Sequence, residues 1–430
     1  MSLNPKISGS SATPNRHIWM VSHYATLPSK DGGSARHLKL AERLPNYGWT
    51  SSLIVASTRH PEGSQALSGM ALRKVTDENG VKALWIRTNQ YGKNLQLRFI
   101  GMIIFAINLL RPGATRGLEK PDLILGSTVH PFAAWAGYRL AKRHRVPFVY
   151  EIQDVWPETL YEMANIGPRH PVSRIFSLID VMLIRRAVLV LSPLPFVDKH
   201  LSELGFPNKP FLWVSNGADI PAQPNDLPDR RRAPFTFMYL GSHGVANALE
   251  DVLVAFDRLC AGRPDLDVQL RLVGDGPRKS ALISQAANLA SADRISFKDW
   301  VPESEVLHRA HQADCLVVNM HDLPLYRFGV SLNKFFMYLS ADRPIVVGSS
   351  APNNPVRESG AGLVVPGGAV DHLATAMLEI AELPYESRAE LAARGRIELE
   401  NKYSHEVLAR RLAEGLDRHC FADGDDQVNP

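Results

Sequence analysis

Apolar runs too short for helices alternate along this chain with longer stretches of helical period. In the first half the runs are His17–Ser22, Ser52–Ala56, Ala83–Arg87, Asp122–Gly126, Val146–Glu151 and Val188–Ser192. Unbroken apolar runs of this kind suit parallel strands covered on both faces, and the helical patterns between them predict a doubly wound α/β domain. The first run leads into HYATLPSKDGG and then a helix over Ser34–Leu44. In such a strand, loop and helix unit, Gly32 and Gly33 let the backbone approach a ligand closely. The G-x-G-x-x-G spacing of a dinucleotide fingerprint is absent.

After Asn216–Asp219 comes a segment rich in proline and charge, PAQPNDLPDRRRAP, which reads as a domain connection. A second alternating series follows: strand Phe235–Leu240, glycine turn GSHGVAN, helix Ala248–Leu259, strand Val268–Val273 and turn GDGP. Strand Ile295–Phe297, loop KDWVPE, helix Ser304–His311 and strand Cys315–Asn319 complete it. Ala369–Leu383, Arg388–Glu400 and His405–Arg418 read as terminal helices. The predicted organisation is a disordered stretch over 1–16, a first Rossmann-like domain over 17–220 and a second over 235–403. A helix over 404–420 that returns to the first domain and a tail over 421–430 finish the chain. Two such domains face each other across a deep cleft.

Two segments carry candidate chemistry. In YRFGVSLNKFFMYLSADRPIVV, a small-residue turn opens an apolar-periodic helix with Asn333 and Lys334 in its first turn. Backbone N–H groups, the helix dipole and the lysine charge suit an anion there, while an ordinary capped helix feeding a buried strand fits equally well. In RFIGMIIFAINLLR, Arg98 to Arg111, an apolar run is bounded by arginines and is too short to span a bilayer of ~20 residues per helix. It reads either as a buried helix or as one lying in a membrane interface.

Composition narrows the partners. With 430 residues, 45% apolar and 21% charged, the chain is an ordinary globular protein large enough for two cores. Three cysteines without paired spacing predict reduced thiols, and the polar N-terminus has no apolar signal region, so a cytoplasmic protein is expected. The net charge of +4 hides an asymmetry: residues 1–215 hold 26 Lys+Arg against 14 Asp+Glu, leaving 22 against 30 for the rest. The basic half points to phosphate groups or an anionic membrane. Nucleic acid is not expected, because basic and aromatic residues are not interleaved. No His/Cys cluster has metal-ligand spacing.

In order along the chain, HYATLPSKDGGSARH, YEIQDVWPETL, VSNGAD, YLGSHGVANALEDVL, LVGDGP, FKDWVP, GVSLNKFFMYL and NNPVRESGAGLVVP are similar to motifs of one family. The chain resembles family 4 glycosyltransferases of the GT-B fold, in particular bacterial enzymes that build surface polysaccharide with sugars such as N-acetylfucosamine. The resemblance runs from His17 to about Leu383. It implies transfer with retention from a nucleotide-sugar, expected to be a UDP-sugar, to a saccharide or polyprenyl-diphosphate-linked acceptor. Capsule, O-antigen or exopolysaccharide assembly at the inner face of the cytoplasmic membrane is the implied setting, with the Arg98 to Arg111 segment touching the membrane.

The resemblance also implies site residues. Lys334 would neutralise charge on the leaving diphosphate, with Asn333 and Ser331 beside it. Gly32 and Gly33 would approach the phosphates from the other domain, and Gly241, His243, Gly244 and Asn247 would complete the cradle. Gly274, Gly276, Trp300 and Val301 would border the base. His130 is the candidate near the reacting centre and Asp154 the candidate for orienting the acceptor. No metal or cofactor is expected. Two positions depart from the family: Met337 stands where an acidic ribose anchor is usual, with Gly329 at the partner position, and Asp342 stands where glycine is usual. Methionine accepts hydrogen bonds poorly, so the ribose contact is either lost or supplied elsewhere, with Glu358 as a candidate. The alternatives are a non-hydrolysing UDP-sugar epimerase, for which no cleft carboxylate pair is evident, and a catalytically silent nucleotide-sugar-binding partner of an assembly complex.

Overall fold

The computed structural model describes residues 16–31, 36–60, 62–92, 94–128, 130–163, 166–221 and 234–421. Residues 1–15 of the predicted disordered start, most of the connecting segment and most of the tail lie outside them, as do Gly32 and Gly33, whereas Arg16 opens the first strand. The first domain holds strands β1 Arg16–Val21, β2 Trp49–Ala56, β3 Arg73–Glu78, β4 Val81–Ile86, β5 Leu123–Thr128, β6 Phe148–Ile152, β7 Leu189–Ser192 and β8 Phe211–Trp213. They form one sheet in the order β3-β4-β2-β1-β5-β6-β7-β8, parallel except for the edge strand β3.

Successive residues of a strand serve opposite faces, and here both faces are covered. On β1, Ile18 and Met20 join Leu53, Val55 and Leu125 in one core layer, while Trp19 and Val21 join Ile54, Ile124 and Tyr150 in the other. The second domain repeats the arrangement with β9 Phe235–Leu240, β10 Val268–Val273, β11 Ile295–Lys298, β12 Cys315–Asn319, β13 Ile345–Gly348 and β14 Gly362–Val365, in the order β11-β10-β9-β12-β13-β14. Phe237 and Tyr239 of β9 feed one layer, Met238 and Leu240 the other.

The helix His405–Cys420 leaves the second domain and packs on the first. Leu408, Leu412 and Leu416, at four-residue intervals on one face, are buried among Leu38, Leu44 and Trp49. At the crossing Ala218 and Ser404 form a parallel bridge, with the Ala218 N–H donating to the Tyr403 carbonyl at 3.2 Å. Gly217 makes this approach feasible, since a Cβ there would lie 2.2 Å from the Tyr403 oxygen.

Differences from the sequence reading have physical causes. β3, RKVTDE, shows little apolar character because it is an antiparallel edge strand with a largely exposed face. Leu95–Leu110 is a helix with two characters. Phe105, Ala106 and Leu109 are buried, whereas Leu95 and Ile107 are 75% and 54% exposed. Asp342 adopts φ 50°, a left-handed conformation that Asp tolerates better than most side chains, and it accepts from Arg396 at 3.3 Å.

Leu412→Ala is expected to destabilise the first domain by roughly 2–4 kcal/mol through loss of buried contacts and a residual cavity. Urea unfolding followed by tryptophan fluorescence checks it; an unchanged midpoint would show that the helix is not part of that core.

Candidate functional site

Loops after the carboxyl ends of the strands in both sheets meet at a cavity of about 710 Å³. Ser22 follows β1, Gln153 follows β6 and Asn216 to Asp219 follow β8. From the second domain come Gly241 after β9, Gly274 after β10, Trp300 and Val301 after β11, and Asn333, Lys334 and Met337.

Lys334 is the central charge on the second-domain wall. Its side chain runs across Gly241, where φ is 144° and a Cβ would come 2.5 Å from the lysine Cε. Gly274 is equally confined, because a Cβ there would fall 1.9 Å from the Gly241 carbonyl oxygen. The Lys334 ammonium donates to Asn247 Oδ1 and lies 4.8 Å from the centre of the Tyr239 ring. Among the described residues it has no carboxylate partner, and burial draws its pKa down to about 8. The helix behind it, Asn333–Leu339, has only 7 residues, so the full charge of the lysine outweighs the helix dipole.

The glycine turns rest on His243. This histidine is buried with neither ring nitrogen hydrogen-bonded, and burial lowers its pKa. It lies off the cavity wall, as do Gly244, Asn247 and Gly276. The His243 N–H donates to the Asp275 carbonyl at 2.8 Å, and its ring lies against the turn, since a Cβ on Gly274 would come 3.4 Å from its Nε2. Ser331 is also off the wall and joins the domains. Its Oγ accepts from the Asn216 N–H at 2.8 Å, and its carbonyl accepts from the Asn216 side-chain amide at 2.6 Å.

Glu358 is engaged elsewhere. It accepts from the Asn354 N–H at 3.2 Å and from the Tyr403 hydroxyl at 3.3 Å, and it does not line the cavity. As a candidate ribose contact Glu358 thus stands off the cavity wall, while Met337 faces the cavity. His130 is fully buried, 4.6 Å from His23 ring to ring, with neither ring nitrogen hydrogen-bonded. Burial, with Arg98 adding, lowers its pKa to about 3, so it is neutral. It is off the wall, but Tyr24, 5.9 Å away by ring centres, lines it. Asp154 is half-buried in the loop after β6, also off the wall, and burial raises its pKa to about 6.

On the first-domain wall the main feature is a cluster that sequence reasoning did not find. Glu151, fully buried at the end of β6, accepts from Arg36 and from His37 Nε2 at 2.6 Å. Burial opposes ionisation of this carboxyl, but His37 and Arg36 outweigh it and hold the pKa well below the ordinary range. Arg36 also donates to the Val214 carbonyl at 2.7 Å, tying the loop that carries Asn216 to the same cluster. Asp219 accepts from His405 at 2.8 Å and pairs with Lys39 at 3.0 Å. The signal in sequence was an SARH segment directly after the glycines; its partner lies 114 residues away from His37.

Two family models match the chain, one described as glycosyl transferase 4-like domain over residues 31–217 and one as glycosyl transferases group 1 over residues 234–382. The chain belongs to the family 4 glycosyltransferases. No curated protein sequence matches it. Among solved structures, the glycosyltransferase is similar to sucrose-phosphate synthase from Thermosynechococcus elongatus, with TM-score 0.70 and 16% identity over 95% of this chain and 100% of that one. It is also similar to HepE of Anabaena in complex with UDP and glucose, with TM-score 0.63 and 15% identity over 94% and 100%. The lipopolysaccharide outer core galactosyltransferase WaaB shows TM-score 0.57 and 13% identity over 94% and 99%. These likenesses establish the GT-B fold of the glycosyltransferase.

A desolvated ammonium whose partners are an amide oxygen and a ring face, with no carboxylate, carries a cost in the folded protein. Because the Lys334 pKa is lowered by folding, that cost is fully present below about 8 and fades as pH approaches the unfolded value. Lys334→Met is expected to stabilise the protein by roughly 1–3 kcal/mol at pH 7, with the gain shrinking toward pH 10. Denaturant melts at the two pH values check it; a loss of stability at both would contradict the desolvation argument.

Proposed function

We propose that this glycosyltransferase moves a sugar, with retention, from a nucleotide-sugar to a saccharide or polyprenyl-diphosphate-linked acceptor in surface-polysaccharide biosynthesis. The observation that carries the reading is Lys334, a desolvated cation without a carboxylate, facing an interdomain cavity across two glycine turns. A diphosphate there would supply the missing charge. HepE was solved with UDP and with UDP-glucose, which supports a UDP-sugar as donor.

In the proposed reaction the bond between the sugar C1 and the leaving diphosphate oxygen breaks while the acceptor oxygen bonds C1 on the same face. The acceptor proton passes to the leaving phosphate, so no strong protein base is needed. Lys334 stabilises the negative charge that grows on the diphosphate, an interaction strengthened by the low-dielectric site. Asn247 holds the lysine and Ser331 ties the preceding turn to Asn216, while Asn333 lines the cavity beside it. Trp300 and Val301 border the base, Asp154 orients the acceptor, and His130 shapes the first-domain side beneath Tyr24. No metal takes part in this scheme.

A membrane setting is supported by the bare faces of two helices. Leu95, Ile100 and Ile107 of Leu95–Leu110 are exposed, as are Ile175 and Leu178 of Pro171–Arg186. Phe99 and Phe176 stack between the helices at 6.3 Å; Arg111 caps the first helix, and Arg185 and Arg186 end the second. Among the described residues no helix is long and apolar enough to cross a membrane. Peripheral contact with anionic headgroups at the cytoplasmic face fits this surface.

The experiment is a transfer assay with a panel of UDP- and GDP-sugars and polyprenyl-diphosphate-linked acceptors in anionic vesicles, reading nucleotide release and product anomer. A retained anomer and a loss of at least about 100-fold in kcat for Lys334→Ala are expected. Leu95→Ser with Ile107→Ser should slow the vesicle reaction while sparing nucleotide binding. No release with any donor, or full activity of Lys334→Ala, would sink the proposal; nucleotide binding without turnover, with turnover restored by Met337→Glu, would point to a silent binder.

A further inference from the structure

We infer that the second domain carries a second anion site, behind Trp300, for a multiply charged phosphate- or carboxylate-bearing small molecule. A separate cavity of about 340 Å³ lies there, lined by Arg271, Lys298 and Arg309 together with Met238, Asp299 and Gln312. It shares Val273, Trp300 and Val301 with the larger cavity, so the same loop walls both.

The strand register explains why the cations converge. Arg271 of β10 is paired with Met238 of β9 and Ser296 of β11, and Val273 is paired with Lys298. Residues two apart on a strand share a face, so Arg271 and Lys298 project from the same side of the sheet. Strand spacing of ~4.8 Å and a two-residue rise of ~6.6 Å set their Cα atoms roughly 8 Å apart. The helix Glu303–Ala310 covers that face, and its last turn brings Arg309 over the gap.

These charges are not internally neutralised. Asp299, the carboxylate of the lining, is 3.0 Å from Lys279 and fully exposed. Among the described residues neither Arg271 nor Arg309 has a carboxylate partner, and Arg309 Nε is buried without a hydrogen bond. Three like charges around a partly enclosed space repel one another, and a bound anion removes that repulsion while satisfying the guanidinium donors. Planar guanidinium forks suit phosphate and carboxylate oxygens in particular.

The site does not depend on Lys334, and the test separates the two. Isothermal titration calorimetry is run with inorganic phosphate, and separately with citrate, at constant ionic strength. The proteins are wild type, Arg271→Gln, Arg309→Gln, Lys298→Gln and Lys334→Ala. Wild type should bind at two sites. Each change at Arg271 or Arg309 should weaken one site by about tenfold and leave the other intact, whereas Lys334→Ala should do the converse. Lys298→Gln, on an exposed side chain, gives the same direction without risk to folding. Binding that depends on Arg271 and survives Lys334→Ala supports the site even if the diphosphate reading fails. Heat with citrate alone would assign carboxylates as its ligand class, and with phosphate alone, phosphates. Anion binding unaffected by the Arg271, Arg309 and Lys298 changes would overturn the inference.

Discussion

At Gly217 the backbone of the first domain and the chain returning from the second meet so closely that any side chain would land on the Tyr403 carbonyl. The contacts on either side of that point follow from it. Asn216 clasps Ser331, Ala218 bridges Ser404, and Asp219 takes His405. One residue's worth of space therefore fixes how the loop after β8, the turn before Lys334 and the start of the terminal helix stand relative to each other. The Glu151 cluster holds the same loop from below through Arg36. Phe328, from the segment before Gly329, is buried in the core of the first domain, 5.2 Å from His200 ring to ring. The cavity is thus framed by packed elements of both domains rather than by a lone linker.

Within that frame the enzyme keeps a lysine where a lysine is uncomfortable. An asparagine amide oxygen and an aromatic face are weaker partners for an ammonium than a carboxylate. A carboxylate would stabilise the folded protein, but it would also neutralise the charge that the proposed diphosphate would meet. The Glu151 cluster on the opposite wall shows the other solution, a buried charge satisfied internally. The first is suited to ligand binding and the second to holding the shape of the wall.

The strands were legible because both faces of each sheet are covered, which turns each central strand into a short apolar run. Phe235–Leu240, Val268–Val273 and Cys315–Asn319 coincide with β9, β10 and β12. Edge strand β3 lacked that signal, and the three-residue β8 was too short to show one. In the site, Gly241, Gly274 and Lys334 were readable as a glycine turn and a cation, because their chemistry is local. Arg36, Asp219 and His405 were not, because their roles arise from contacts between distant segments. Glu358 stands out in the sequence by its charge, and in the fold its carboxylate accepts from Asn354 and Tyr403.

In the proposed reaction Lys334, a cation with no carboxylate partner among the described residues, awaits a diphosphate. Its ε-ammonium pKa, followed by NMR of ¹³C-labelled lysine in the free enzyme and with UDP, tests this most directly. A free value near 8 that rises toward the ordinary ~10.4 on binding is the expected result. A free value already at the ordinary level, or one that UDP leaves unmoved, would contradict the account.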